Sequence, residues 1–125
     1  MVLIIGGSYQ GKLDFARQRY GLSPEDIQLC DDRTEAIDPG KRCIAGLERF
    51  ALNRVRSGCD PMEAFAGMER FSESILICAD ISGGVVPMDP VLRAWREACG
   101  RMCAALARDA DEVWRLFCGI PQRLK

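Results

Sequence analysis

Apolar positions along this chain fall into two kinds of run, and each predicts a different element. Met1–Ile5, Ile27–Cys30, Ser74–Ala79 and Glu112–Phe117 are short, dense blocks rich in Ile, Leu and Val, with little polar interruption. Blocks of that length and composition, bounded by Gly, Asp or Pro, read as buried strands. Elsewhere apolar residues recur at helical spacing. Leu13, Phe15 and Ala16 open a helix that runs to Gly21, and Ile44, Leu47, Phe50, Ala51 and Val55 mark a second one stopped by Gly58. Asp60, Pro61 and Glu63 look like the capped start of a third, with Met62, Phe65, Ala66 and Met68 as its apolar surface.

The longest helix starts at the cap Asp89-Pro90. Its stripe is Leu92, Trp95, Cys99, Met102 and Leu106, opposite Arg93, Arg96, Glu97 and Arg101. Between these elements, Ser23-Pro24-Glu25-Asp26 predicts a short turn, while Arg33–Lys41 and Ile81–Pro87 predict loops. After Gly119-Ile120-Pro121 the residues from Gln122 to Lys125 read as a basic tail. Strands alternating with helices predict a three-layer α/β fold with a largely parallel sheet, organised as one domain over residues 1–125.

One junction in that pattern carries chemistry. Gly6-Gly7-Ser8-Tyr9-Gln10-Gly11-Lys12-Leu13 lies between the first strand and the first helix. It satisfies the phosphate-binding pattern G-x-x-x-x-G-K-[ST] up to its last position. Glycines let the backbone curl so that successive N–H groups face an anion, the helix contributes its positive end, and Lys12 reaches the outer phosphates. Leu13 stands where a Ser or Thr hydroxyl would ligate Mg²⁺. The expected ligand is ATP or GTP, with metal handling altered at that position.

Asp80, at the end of the strand Ser74–Ala79, is the candidate Mg²⁺ partner, because Mg²⁺ keeps several waters and needs few protein carboxylates. Lys12 and Asp80 are thus the candidate catalytic pair. Asp31 and Asp32 read as an exposed acidic turn, and Trp95 and Trp114 as core or interface anchors.

Composition narrows the partners. Seventeen basic and eighteen acidic residues leave a net charge of −1, so the balance calls for neither nucleic acid nor an anionic membrane. No apolar stretch approaches a membrane span, no signal peptide is read before the glycine loop, and cytoplasm is the expected compartment. The seven cysteines are odd in number and form no C-x-x-C, and histidine is absent. Cys99 and Cys103, four apart on a helix, have metal-compatible spacing but are not a closed site; most of the cysteines read as buried reduced thiols.

Both ends of the chain resemble one family. Asp80–Pro87 (DISGGVVP), Arg93–Arg101, Ala110–Trp114 and Cys118–Lys125 match in order and spacing the end of the adenosylcobinamide kinase/adenosylcobinamide-phosphate guanylyltransferases of cobalamin assembly. The glycine loop adds the other end. The resemblance implies a P-loop NTPase-like fold, ATP or GTP with Mg²⁺, phosphorylation of a cobinamide-like alcohol, and a homotrimer with sites between subunits. It also implies guanylyl transfer through a histidine that carries GMP, for which this chain has no residue. The family's middle section is compressed here into Asp31–Glu73. Two readings follow: a divergent kinase-like enzyme, or a catalytically degenerate nucleotide-binding or assembly protein of the same fold.

Overall fold

A computed structural model describes residues 1–125. Six strands form one sheet: β1 (Val2–Gly6), β2 (Ile27–Leu29), β3 (Cys43–Ala45), β4 (Ile75–Ala79), β5 (Glu112–Phe117) and β6 (Ile120–Arg123). Their spatial order is β2-β3-β4-β1-β5-β6, parallel throughout except for β6, which pairs antiparallel with β5. Helix α1 (Lys12–Tyr20) covers one face, while α2 (Leu47–Arg56) and α3 (Pro90–Asp109) cover the other. This is the three-layer α/β arrangement expected from the alternation of strands and helices.

The residues explain the layers. β1 and β4 are the two central strands, and both faces of each are covered, which is why their sequences are apolar without alternation. Leu3, Leu76, Cys78 and Val113 pack toward α2 and α3, against Phe50, Met102 and Leu106. Ile4, Ile75, Ile77 and Leu116 pack toward α1, against Ala16 and Leu22. Each large apolar side chain so buried contributes roughly 1.5–3 kcal/mol. Gly21, with φ 60°, ends α1 by turning its N–H back to the Arg17 carbonyl. Asp89 caps α3 by accepting from the Val91 and Leu92 N–H groups.

Three sequence expectations need correction. Ile44 is not helical: Cys43-Ile44-Ala45 is a strand, wholly buried between β2 and β4, and α2 begins only after Gly46. Three residues are too few to show a period, so Ile44 was absorbed into the helical pattern that follows it. The segment after Asp60 forms two 3-10 turns, Pro61–Phe65 and Met68–Phe71, rather than a helix, because Gly67 at φ 75° separates them. The first half of the basic tail, Gln122 and Arg123, belongs to strand β6. Cys118 (φ 51°) and Gly119 (φ 74°) supply the two positive φ values that a tight primed hairpin turn requires.

The predicted stripe of α3 also thins toward its start. Cys99, Met102 and Leu106 are buried, Trp95 is half-buried, and Leu92 lies at the surface. Trp95 is anchored by its indole N–H, which donates to the Glu48 carbonyl at 2.6 Å.

Candidate functional site: the glycine loop and the ends of β1 and β4

The chain leaves β1 and β4 toward opposite faces, into α1 and toward α3, so a crevice opens at the carboxyl ends of these two adjacent strands. The glycine loop and Asp80 meet there. Gly6 pairs with Ala79 in register, and the Asp80 N–H donates to the Gly6 carbonyl at 2.8 Å. Gly6 has no room for a side chain. A Cβ on it would lie 2.5 Å from the Leu116 carbonyl oxygen, and its φ is 151°.

From Ser8 to Asp14 no backbone N–H finds an acceptor within the protein. Tyr9 (φ 58°) and Gly11 (φ 85°) adopt the left-handed conformation that curls the loop into the first turn of α1. Unpaired amides in succession, followed by an uncapped helix start, are the donor set of an anion site. Lys12 reaches back over the loop and donates from Nζ to the Gly7 carbonyl at 2.6 Å. Burial lowers the pKa of that ammonium, while the nearby Glu48 carboxylate and Cys78 act in the opposite direction. A phosphate arriving here would meet a partly desolvated cation with a single protein acceptor.

The hairpin after β5 holds the loop from outside. The Gly119 N–H donates to the Gln10 carbonyl at 3.1 Å, and the Cys118 N–H donates to Gln10 Oε1. Leu13 is half-buried and packs against the core beneath α1. It also borders a cleft of about 290 Å³ that runs from Tyr9–Asp14 to Leu29, Gly46 and Ile77. The helix therefore forms without the missing hydroxyl, as leucine's helix preference allows.

Asp80 is exposed at the strand end. Its Oδ1 accepts from the Ser82 hydroxyl at 2.5 Å and the Ser82 N–H at 2.9 Å. Those two bonds, then the positive charges of Arg115 and Arg96, hold its carboxyl below the usual range. Oδ2 makes no bond within the protein. No group of three or more His, Cys, Asp or Glu side chains is placed to hold a metal ion. An ion at Asp80 would thus complete its shell with waters and phosphate oxygens, which suits Mg²⁺ and not a caged transition metal.

Three neighbours escaped the sequence reading. Glu48, in the first turn of α2, accepts the Ala79 N–H on Oε2 at 2.8 Å and so braces the end of β4 beside Lys12. Arg115 on β5 lines a 260 Å³ cleft with Gly6, Gly7 and Asp80. Arg96, expected on a solvated face, donates to the carbonyls of Gly84 and Val85 and ties down the loop after β4. Glu48 and Arg115 belong to no local motif, and only the register of the sheet and the packing of α2 bring them in. Arg96 lies in the stretch Arg93–Arg101 that carries the resemblance, but its tie to the loop after β4 is visible only in the structure. Asp31 remains in its turn, accepting from Arg33 and Thr34, and Asp32 pairs with Arg56, both away from the loop.

Strand, uncapped glycine loop, helix and strand-end carboxylate together define a P-loop-type α/β fold. Residues 52–124 match the family model described as cobinamide kinase / cobinamide phosphate guanyltransferase, and this chain belongs to that family. The bifunctional adenosylcobalamin biosynthesis protein CobU of Salmonella typhimurium (strain LT2) is 25% identical over 118 aligned residues, which cover 83% of this chain and 61% of that relative. The chain thus spans about three fifths of the length of the curated relative it matches.

Proposed function

We propose that the glycine loop Gly6–Leu13 binds the polyphosphate of ATP or GTP, and that the chain transfers a phosphoryl group to a cobinamide-like alcohol. The observation that carries this reading is the run of unpaired N–H groups from Ser8 to Asp14 beside Lys12. Family membership supplies the substrate class. In phosphoryl transfer the protein's part is mostly positioning and charge stabilisation. Loop amides would hold the β-phosphate side, and Lys12 would exchange its bond to Gly7 for one to the transferred group. Glu48 would keep the end of β4 in place through Ala79. Bound Mg²⁺ supplies positive charge across the phosphate oxygens; Asp80 is the residue that would hold it, with waters in the place of the hydroxyl that Leu13 lacks.

Guanylyl transfer is not part of this proposal. The usual nucleophile of that step is an imidazole, and the chain has no histidine. Denatured protein is expected to carry no radiolabel after incubation with GTP labelled at the α-phosphate; a stable protein-bound GMP would show that another side chain has taken the role. The packed Leu13 favours a second reading, in which the loop binds nucleotide without turnover. Incubation with adenosylcobinamide, nucleotide and Mg²⁺, followed by mass spectrometry, separates the two. Phosphorylated product supports the kinase, and tight binding without product supports the other.

The loop assignment itself is tested by Lys12→Ala. Losing a charge-assisted bond to phosphate costs about 1.5–3 kcal/mol, so calorimetry should show nucleotide affinity reduced by roughly ten- to a hundred-fold. Equal affinity in both proteins would remove Lys12 from the site. We also infer a cytoplasmic protein acting on small molecules, assembled as a trimer by analogy with the family. No helix is long and apolar enough to cross a membrane.

A further inference from the structure

Three of the seven cysteines converge at one point that the proposed chemistry does not use. Cys78 comes from β4 and is fully buried; Cys99 and Cys103 come from successive turns of α3. The Cys78 thiol donates to the Ala79 carbonyl at 3.6 Å, and all three cysteines line one cleft. Cys103 alone of the three keeps partial exposure. It opens on a cleft of about 210 Å³, shared with Asp80, Ile81 and Arg96. All seven cysteines are reduced, and the three do not form a metal cage. What remains for a contiguous group of thiols with one accessible member is sulfur redox chemistry.

We propose that Cys103 and Cys78 form an oxidisable dithiol, with Cys103 as the peroxide-reacting thiol and Cys78 as the resolving one. In the first step the Cys103 Sγ attacks the nearer oxygen of hydrogen peroxide. The O–O bond breaks, the leaving hydroxide takes up the thiol proton and departs as water, and Cys103 becomes a sulfenic acid. In the second, the Cys78 Sγ attacks the Cys103 sulfur and expels hydroxide, which leaves as water with the Cys78 proton. Two thiols are oxidised to one disulfide, and one peroxide is reduced to two waters. The order of attack follows from access, since Cys103 keeps partial exposure at the cleft while Cys78, which lines the same cleft, is fully buried. The choice of partner follows from geometry. Cys99 and Cys103, one turn apart on α3, have Cβ atoms about 5–6 Å apart, wider than the roughly 3.5–4.5 Å of a disulfide. Cys78 instead lines the same cleft from β4.

The test uses the full chain, reduced and then treated with one equivalent of hydrogen peroxide. Remaining thiols are alkylated, and the protein is digested and mapped by mass spectrometry. The expected result is loss of two of the seven thiols and a crosslinked pair of peptides containing Cys78 and Cys103. In Cys103→Ser, a conservative change at a part-exposed position, that crosslink and the loss of the Cys78 thiol should both disappear. In Cys78→Ala, oxidation should stop at Cys103 as a sulfenic acid that dimedone traps. Oxidation confined to Cys59 or Cys118, or a Cys99–Cys103 bridge in place of the Cys78 one, would overturn the assignment. The mapping needs no nucleotide, so its result stands apart from that of the phosphate-site reading.

Discussion

Single glycines decide whether this site can form. Gly46 (φ 80°) turns the chain from β3 into α2, and a Cβ there would lie 2.6 Å from the Cys30 carbonyl oxygen. Gly21 has a similar φ of 60° but nothing within 4 Å. The two positions separate backbone strain from steric conflict. Gly21→Ala should cost about 1 kcal/mol, the left-handed penalty alone. Gly46→Ala adds a clash with backbone that cannot rotate away, and should cost about 2 kcal/mol or more. Urea unfolding of both variants checks this; equal midpoints would mean that β2 gives way easily.

Leu13 is the other residue whose identity matters. Leu13→Ser removes some packing beneath α1, so stability should fall by roughly 1–3 kcal/mol. It also supplies the hydroxyl that the phosphate-binding pattern carries at this position. Nucleotide affinity should then rise more in Mg²⁺ than in EDTA. A folded variant with unchanged Mg²⁺ dependence would show that this position does not control the ion.

At the scale of elements, α3 and the β5–β6 hairpin hold the site from two sides. The start of α3 depends on Asp89, whose carboxylate accepts from two N–H groups of the first turn. Asp89→Ala should cost about 1 kcal/mol by thermal or urea unfolding. The variant should also loosen the loop after β4, since Arg96 in the second turn of α3 is what ties that loop to the helix. The hairpin braces the glycine loop through Gln10, and its turn places a non-glycine residue, Cys118, at φ 51°. Asparagine tolerates that conformation better than other side chains. Cys118→Asn is expected to raise the melting temperature without loss of nucleotide binding; a fall would mean that the exposed thiol has a role of its own.

For the whole molecule, buried thiols set the alkaline limit. Burial raises the Cys30 thiol to about 12 and the Cys43 thiol to about 11, from an ordinary value of 9.0. Both residues are sealed in the sheet that joins β2 and β3. In the unfolded chain these thiols ionise near pH 9, whereas in the folded protein they stay neutral. The stability they contribute is therefore complete below pH 9 and is lost as pH rises toward 11–12, at about 1.4 kcal/mol for each tenfold difference in proton affinity. Urea midpoints measured from pH 8 to 11 should fall steadily, and Cys43→Ala should flatten that slope. A slope unchanged by the substitution would place the alkaline sensitivity elsewhere.

The sequence by itself determined the local features whose cause is local. Four strands, three helices, the caps at Ser23, Asp60 and Asp89, and the glycine loop between β1 and α1 could all be read from periodicity and turn chemistry. In each the deciding interactions lie within a few residues. The family resemblance was readable for the same reason, because its motifs are contiguous. Only the tertiary structure decided the rest. β3 is too short to show a period and becomes a strand because β2 and β4 pair with it on both edges. β6 becomes a strand because β5 offers an unpaired edge beyond a two-residue turn. Glu48, Arg115 and the Cys78–Cys99–Cys103 cluster come together across long stretches of chain, through sheet register and the packing of α2 and α3. A pattern along one segment carries information about the faces of that segment, but not about which residue of another segment will meet them.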